Sequence, residues 1–439
     1  MAGQLHSAKH QLTEQVAHVQ RVGRGIESHV DTHRMIREAR AELVGRGCVV
    51  DEATLVQFGK DVHGSMLARR TTLIADHLHY VARRRERDMA QPELNLHDAM
   101  LVQALASADL GSQINVTLLE GLAKNLSDGG IVYDLTKDLA LRPSRDAVAL
   151  RILGAAHREV LAGRAPKLAA HYPSVGGEPG PTLVADFLDV LRTNHGAIVD
   201  GLGRTVQTNE VGRTTMLVAG LAHFGRTYGV DAIHFREVGS SSGLNLLFDR
   251  FFFDCGGTTY GDTASKVRFE FDAWGEPSVD ISGCPSVISR AGCDISPLDI
   301  RDSERRLTLL SFVWPDQQQR FERLHAALDI ASMSALYNPP TGADAADWID
   351  EELRDLADEP AVVFHSIVWQ YFSQDTKDRF RAALRRHGET RRAPLAWLRM
   401  EPAGSAPDLR ITVWRDGSIV EEDHPLATSS YHGIGTRRL

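Results

Sequence analysis

The sequence predicts a doubly wound, mostly parallel α/β sheet with an antiparallel hairpin at one edge. A strand-like apolar run, Ile233–Val238, meets a turn of small residues, Gly239–Gly243, and continues into an apolar-periodic segment, Leu244–Phe253. Further apolar runs downstream alternate with helical patterns, as they do in successive βαβ units. The last strand-like run, Leu409–Arg415, ends at Asp416-Gly417, a dipeptide typical of hairpin turns.

The length and composition of the chain limit the class of protein. A chain of 439 residues is longer than one average domain, so we expect two domains. The net charge of −9 argues against nonspecific nucleic-acid binding. The sequence contains neither the ~18 consecutive apolar residues of a membrane span nor a secretion signal, so we expect a cytoplasmic protein without a membrane partner. The four cysteines lack metal-like spacing, and we expect no metal.

Three regions are predicted along the chain. Residues 1–95 keep a helical spacing of apolar residues, interrupted by glycines, which predicts an N-terminal extension for partner binding or for homo- or heterodimer formation. Residues 96–225 continue the helical pattern and are expected to form a cap that contributes to substrate binding. Residues 226–439 contain the alternating strands and helices of the α/β domain.

The small-residue turn after the first predicted strand is the first candidate site. Gly239 and Gly243 permit a tight turn and a close ligand approach because neither has a Cβ atom. Glu237 precedes the turn, at the carboxyl end of the strand, where open α/β sheets place their ligands. Hydroxyls and backbone N–H groups there can face an anion, and the hydroxyls come from Ser240, Ser241 and Ser242. A plain strand–helix connection is the alternative interpretation.

A polar stretch between helical segments, Gln207–Arg213, is the second candidate. One interpretation is a structural hydrogen-bond network, because buried amides and carboxylates need partners. The other is a substrate clamp in which Arg213 binds an anion while Gln207, Asn209 and Glu210 hold polar groups.

Three further candidates lie at the ends of later predicted strands. Asp294 ends the second strand, where a carboxylate often binds a ribose diol, although an Asx-turn or helix cap before Pro297 is the alternative. His365 ends a buried strand, either as a satisfied core residue or as a catalyst. Glu401 lies at the tip of the next strand. We expect Arg213, Asp294 and His365 to converge at the serine turn.

The order of these motifs resembles that of class I S-adenosylmethionine (AdoMet) methyltransferases. At finer grain, Leu96–Tyr431 resembles the bacterial DUF2332 family, some relatives of which work in antibiotic pathways that build aziridine rings. The matching stretches are His171–Gly177, Gln207–Arg213, Glu237–Asn245, Trp314–Gln317, His365–Tyr371 and Arg399–Pro402. The chain departs from the methyltransferase pattern where Ser241 replaces the middle glycine of the turn, and where Asp262–Pro285, resembling an inserted hairpin, separates the first helix from the second strand.

The resemblance implies a small-molecule enzyme of specialised metabolism. In the first hypothesis, an amine attacks an adjacent carbon of the same amino-acid-derived substrate, free or carrier-bound, and expels a sulfate-type oxyanion to close an aziridine without AdoMet. The serine turn, together with Arg213 or Arg320, would hold the anion, and Glu210 or His365 would take the proton. The residues expected to contact substrate are Tyr172, Gln207, Asn209, Ser240, Ser241, Ser242, Asn245, Arg320, Gln370 and Glu401.

The sequence is also consistent with two other functions. An AdoMet-dependent methyltransferase would bind the cofactor through Glu237, Gly239, Gly243, Asp294 and either Asp344 or Asp347. A noncatalytic partner protein with a methyltransferase-like fold would instead bind another protein through residues 1–95.

Overall fold

The computed structural model describes residues 94–139, 142–144, 146–404 and 406–439. These residues belong to one compact unit, Glu93–Leu439. The helical extension predicted for residues 1–95 lies almost entirely outside the described residues, so its role in partner binding stays a prediction. Among the described residues, no helix has both the length and the apolarity needed to cross a lipid bilayer.

Helices fill the first part of the described chain, as the apolar spacing predicts. Side chains cap the first two helices, because Asn95 accepts a hydrogen bond from the backbone N–H of Asp98, and Ser112 from that of Asn115. The apolar faces meet in one core around Leu118, Ile152 and Phe187. These helices are α1 (Leu96–Asp109), α2 (Gln113–Ser127), α3 (Ile131–Thr136), α4 (Val148–Leu161), α5 (Pro166–Ala169), α6 (Leu183–Thr193), α7 (His195–Leu202) and α8 (Thr214–Tyr228).

The second part of the chain forms the sheet and its covering helices. The strands are β1 (Ala232–Val238), β2 (Phe252–Cys255), β3 (Thr258–Gly261), β4 (Arg268–Phe269), β5 (Ser286–Asp294), β6 (Thr341–Gly342), β7 (Ala361–Ser366), β8 (Leu395–Ala403), β9 (Ala406–Arg415), β10 (Ser418–Thr428) and β11 (Arg437–Arg438). The later helices are α9 (Ser303–Ser311), α10 (Gln318–Met333), α11 (Ala345–Asp355) and α12 (Gln374–Thr390).

The main sheet has eight strands in the order β11-β10-β9-β8-β7-β1-β5-β6. Strands β8, β7, β1, β5 and β6 are parallel, whereas β9, β10 and β11 each pair antiparallel with the preceding strand. The predicted fold class, a mostly parallel sheet with an antiparallel edge, is therefore confirmed. After β1 the chain builds β5 and β6 on one side and then crosses to β7 on the other. The strand order therefore reverses between β1 and β7, where open α/β sheets bind ligands.

Two local expectations differ from the structure. After the serine turn, residues Leu244–Arg250 form a 3-10 helix rather than an α-helix, and Leu247 has non-helical dihedral angles within it. The inserted hairpin lies earlier than predicted, because β2 pairs with β3 between Phe252 and Gly261. Within Asp262–Pro285, only β4 pairs with that small sheet. The aromatic residues of β2 and β4 pack face to face through Phe253 and Phe269, which makes this insertion part of the core.

Alternate residues of the central strands point to opposite faces of the sheet. One core contains Val362 and Phe364 of β7, whereas the core on the other face contains Val363. This alternation places His365 on the face covered by α11 and α12, and Ser366 on the face covered by α8. The two neighbouring residues therefore cannot contribute to one site on the same face.

Replacing Gly225 of α8 by alanine tests the close contact of this helix with the loop before β5. An added Cβ would lie 2.0 Å from the carbonyl oxygen of Gly283, so backbone must move. We expect Gly225→Ala to lower the free energy of unfolding by about 1–3 kcal/mol in a urea titration. The matched control is Gly196→Ala in α7, where an added Cβ meets nothing within 4 Å, and which should raise stability by about 0.5–1 kcal/mol. Equal effects of the two substitutions would contradict this packing.

Candidate functional site

A cavity of about 130 Å³ lies where the helical part of the chain meets the sheet part. Its wall is formed by α2, α4, the segment 206–213, the loop between α9 and α10, and the C-terminal segment. The lining residues are Asn115, Leu150, Leu153, Gly154, His157, Tyr172, Val206, Thr208, Glu210, Arg213, Ser311, Phe312, Val313, Trp314, Pro315, Arg320 and His432. The lining thus combines three charged side chains, Glu210, Arg213 and Arg320, with apolar ones.

A buried ion pair between Glu210 and Arg320 forms part of the polar wall. Glu210 Oε2 accepts a hydrogen bond from Arg320 Nε at 2.8 Å and lies 2.6 Å from Arg320 Nη2, and Glu210 Oε1 accepts a hydrogen bond from the backbone N–H of Gly212 at 3.1 Å. Burial acts to raise the pKa of Glu210, but Arg320, His432 and Arg213 together lower this pKa to about 2. Glu210 is therefore ionised and holds its protons weakly, so its geometry suits the orientation of Arg320 better than proton abstraction.

Arg213 is the second cation of the cavity and binds only neutral oxygens. Its Nε donates to the carbonyl of Tyr431 at 3.1 Å, and its Nη1 donates to the carbonyl of Ser366 at 3.3 Å. Among the described residues, no carboxylate lies within ion-pair distance of its guanidinium. Burial lowers the pKa of Arg213, yet an arginine stays charged under all physiological conditions. A half-buried cation without a counter-ion is a favourable place for an anionic ligand.

His432 is a cavity residue that the sequence analysis did not select. Burial and the nearby Arg320 lower its pKa from 6.5 to about 4, with a smaller contribution from Arg213. The imidazole is therefore neutral at physiological pH and can accept a proton. Its ring meets Trp314 edge to face, with centroids 6.5 Å apart. Its position in a C-terminal segment without strand or helix periodicity gave no signal beyond the two glycines, Gly433 and Gly435, that follow it.

Tyr172 and His157 complete the polar lining from the helical part of the chain. Burial raises the pKa of Tyr172, so its hydroxyl stays protonated. His157 is fixed by hydrogen bonds at 3.1 Å to the carbonyl of Ser311 and at 2.8 Å to the hydroxyl of Ser174. Burial lowers the pKa of His157 to about 4, so this ring is neutral and structurally engaged.

The serine turn is closed by side chains of the chain itself. The hydroxyl of Ser241 donates to Gln207 Oε1 at 2.8 Å, and the hydroxyl of Ser242 donates to Asn209 Oδ1 at 2.8 Å. Asn209 Oδ1 also accepts the backbone N–H of Leu244 at 2.9 Å. The hydroxyl of Ser240 donates to a main-chain carbonyl of β5 at 3.2 Å. The amides predicted as a substrate clamp therefore bind hydroxyls of the turn instead of a substrate. All three serines are buried.

The residues assigned to AdoMet do not form a cofactor crevice. Asp294 accepts hydrogen bonds from the backbone N–H groups of Ser241 and Ser296, both at 2.9 Å, so it forms an Asx-turn instead of facing a ribose. At Gly239 the place of a Cβ atom lies 2.5 Å from Val368 Cγ2, so a side chain already fills the approach to the turn.

Asp344, Asp347 and Gly243 also contact other parts of the chain. Asp344 caps α11 by accepting the N–H groups of Ala346 and Asp347, and Asp347 pairs with Arg379. Gly243 faces the ring of Pro340, whose Cγ lies 3.1 Å from the place of an added Cβ. These residues do not fit a bound AdoMet.

Glu237 is a neutral acid beneath the turn. Burial raises its pKa to about 8, although a hydrogen bond from Asn245 Nδ2 at 3.2 Å and the charge of Arg213 act to lower this pKa. The remaining oxygens of the pair, Glu237 Oε2 and Asn245 Oδ1, are both buried without a donor among the described residues. A proton on the carboxyl group supplies a donor, which is consistent with the raised pKa.

His365 and Glu401 form a separate pair on the opposite face of the sheet. His365 Nδ1 lies 2.7 Å from Glu401 Oε1, which also accepts the backbone N–H groups of Val368 and Trp369. The imidazole stacks on Trp369 with ring centroids 5.3 Å apart. Since neither side chain lines the cavity, the predicted convergence of Arg213, Asp294 and His365 is not seen. Gln370 is exposed on the surface.

The structure thus gathers four of the predicted side chains, Tyr172, Glu210, Arg213 and Arg320, around one cavity. A second cavity of about 170 Å³ lies beside Gly243 and β5. The only charged side chain in its wall, Arg290, is already paired with Asp249 at 2.5 Å. Within the described ranges, no group of three or more His, Cys, Asp or Glu side chains is arranged to hold a metal ion. The cavity at Arg213 is therefore the candidate site.

A comparison with protein families identifies the group to which this chain is related. The family model described as "Uncharacterized protein conserved in bacteria (DUF2332)" matches residues 97–437. The chain belongs to the DUF2332 family. The match includes every residue that lines the cavity, and it confirms the family resemblance expected for Leu96–Tyr431. No curated protein and no solved structure matches this DUF2332 chain.

Asn209→Ala tests whether the amide closes the serine turn. The substitution removes the acceptor of two buried donors, the Ser242 hydroxyl and the Leu244 N–H. We expect the free energy of unfolding to fall by about 2–4 kcal/mol in a urea titration. Gln207→Ala, which removes the acceptor of one donor, the Ser241 hydroxyl, and an exposed contact with the carbonyl of Ser296, is the comparison and should cost about 1 kcal/mol. If Asn209→Ala lowers the free energy of unfolding no more than Gln207→Ala does, a structural role of Asn209 in the serine turn is excluded.

Glu237→Gln tests whether Glu237 is protonated in the folded chain. Because the folded pKa of about 8 exceeds the ordinary glutamate pKa of 4.5, Glu237 stabilises the native protein below pH 4.5, and this contribution is lost as the pH rises towards 8. Glutamine cannot lose a proton, so the variant should gain stability relative to the native chain between pH 5 and 8. The gain is at most about 1.4 kcal/mol for each pH unit.

Urea titrations of both proteins at pH 5, 6.5 and 8 measure this difference. The exposed residue Glu178 supplies the control, Glu178→Gln, whose stability relative to the native chain should not change with pH. A constant difference between Glu237→Gln and the native protein would show that Glu237 is ionised throughout.

Proposed function

We propose that this DUF2332 protein is an enzyme that binds a small anionic substrate in the cavity and expels the anionic group by nucleophilic substitution. The observation that carries the proposal is Arg213, a half-buried cation in the cavity wall without a carboxylate partner among the described residues. The neighbouring cation, Arg320, is neutralised by Glu210. One positive charge is therefore left for a ligand, as a departing oxyanion requires.

The reaction that we propose is ring closure by an amine on an adjacent carbon of the same molecule. The C–N bond forms as the C–O bond breaks, and the electron pair of the C–O bond leaves with a sulfate-type oxyanion. The proton of the attacking nitrogen passes to His432. The products are an aziridine and the free anion. Alignment of nucleophile and leaving group within one cavity contributes roughly 7–11 kcal/mol in well-oriented cases.

His432 suits the role of proton acceptor better than the two bases expected from the sequence. Glu210 has a pKa of about 2 and is occupied by Arg320, and His365 lies on the other face of the sheet. His432 is neutral before substrate binds, because its pKa is about 4. An anion bound between Arg213 and Arg320 would raise this pKa, since a nearby negative charge stabilises imidazolium. Substrate binding would therefore make His432 a stronger base in the complex that reacts.

This proposal uses no AdoMet, since the turn that would hold the cofactor is filled by Gln207, Asn209 and Val368. A polar cavity with a free cation also favours an enzyme over a noncatalytic partner. The resemblance to aziridine-forming relatives supports an amino-acid-derived substrate, free or carrier-bound, and a role in antibiotic biosynthesis. A cytoplasmic dimer formed through residues 1–95 is part of the same proposal.

Sulfate release from 2-aminoethyl hydrogen sulfate and O-sulfoserine tests the reaction. We expect the full-length protein to release inorganic sulfate, detected by ion chromatography, and to form the ring, detected by mass spectrometry. Arg213→Met should lower the rate by about 100-fold or more, because it removes the group that stabilises the leaving anion. His432→Gln should lower the rate by a similar factor through loss of the proton acceptor.

The control is Arg192→Met, which removes an exposed arginine from α6 and should leave the rate unchanged. Calorimetric titration with AdoMet separates the alternatives. Micromolar AdoMet binding would contradict the proposal in favour of a methyltransferase. Absence of both sulfate release and inorganic sulfate binding would contradict it in favour of a noncatalytic partner.

A further inference from the structure

The size of the cavity restricts the molecule that it holds. A protein cavity of about 150 Å³ accommodates benzene, which has six non-hydrogen atoms, and this cavity measures about 130 Å³. Packing prevents easy enlargement at Gly154 of α4, where an added Cβ would lie 2.7 Å from the ring of Phe312. The part of the ligand that enters is therefore short, and a nucleoside is too large for it.

The wall opposite the sheet carries an amide that has no partner. Asn115 of α2 is 1% exposed, lines the cavity, and has no acceptor for its Nδ2 group among the described residues. Buried amides in folded proteins almost always have hydrogen-bond partners, because an unsatisfied one costs stability. An unpaired buried donor in a cavity wall therefore indicates that a bound ligand supplies the hydrogen-bond acceptor.

The position of Asn115 is fixed by the same loop that supplies part of the cavity. Asp316 accepts hydrogen bonds from the Ser112 hydroxyl at 2.6 Å and from the backbone N–H of Ile114 at 3.0 Å. The first turn of α2 is thereby tied to the segment that presents Trp314 to the cavity. The backbone that carries the amide is thus held in place before ligand binds, which favours a selective contact.

We infer that Asn115 selects the substrate, and that the substrate is a short acid carrying a carbonyl-type oxygen in addition to its anionic group. The anionic group lies at Arg213, so this inference rests on the proposed function. Asn115 Nδ2 donates to the second oxygen, and the carbon chain packs against Leu150, Leu153 and Val313. A short acid with a keto, amide or acyl oxygen can bind both Arg213 and Asn115, whereas an unsubstituted alkanoate can bind only Arg213.

Matched pairs of small acids test this selectivity on the full-length protein. Each keto acid (pyruvate, acetoacetate and levulinate) is compared with the alkanoate of equal chain length (propionate, butyrate and valerate). Dissociation constants are measured by ligand-observed NMR titration. For at least one chain length we expect the keto acid to bind about 3- to 10-fold more tightly, which is the range of one hydrogen bond. In Asn115→Leu this ratio should fall to about 1, while alkanoate binding is retained.

Arg213→Met separates failure of this inference from failure of the proposed function. Loss of Arg213 should weaken both members of each pair and leave their ratio unchanged; if both members bind as before, the anion site itself is wrong. If the native protein binds both members equally, or if Asn115→Leu keeps the ratio, the role of Asn115 is excluded. Asn115→Asp, of nearly equal shape, replaces Asn115→Leu should the latter not fold, and it should remove the keto-acid preference through loss of the donor.

Discussion

The half-buried guanidinium of Arg213 connects parts of this fold that are distant in sequence. It extends from a 3-10 helix in front of α8 to the carbonyl of Ser366 at the end of β7, and to that of Tyr431 near the C-terminus. Because all its direct partners are neutral, the contacts fix the position of the cation without cancelling its charge. The sheet edge and the C-terminal segment thus present one positive charge to a cavity whose other wall is helical.

The location of the site follows from how the chain fills the usual ligand position of an α/β sheet. The crevice between β1 and β7 is where such sheets bind cofactors. Here the hydroxyls of the serine turn are bound by Gln207 and Asn209, and Val368 packs against Gly239. The polar stretch that begins with these amides continues to Glu210 and Arg213. One segment therefore closes the crevice with its first residues and lines the cavity with its last ones.

Burial raises the pKa of one side chain and lowers that of another, and both are neutral as a result. The acid Glu237 stays neutral because its raised pKa is about 8, and the base His432 stays neutral because its lowered pKa is about 4. Only Arg213, Arg320 and Glu210 keep their charges, and the last two neutralise each other. A cavity with one uncompensated positive charge beside the neutral imidazole of His432 is suited to separating an anion from a proton.

The sequence by itself determined the architecture and the residue types of the site. Period-two and period-3.6 patterns report which face of each strand or helix is apolar, so the parallel sheet, the antiparallel edge and the polar stretch at Gln207–Arg213 were predictable. The tertiary structure alone decided which polar groups meet. His365 and Ser366 are neighbours in the chain but lie on opposite faces of β7. His432 joins the cavity only because the C-terminal segment packs closely on Gly212. Such contacts depend on the packing of distant segments, which local patterns do not encode.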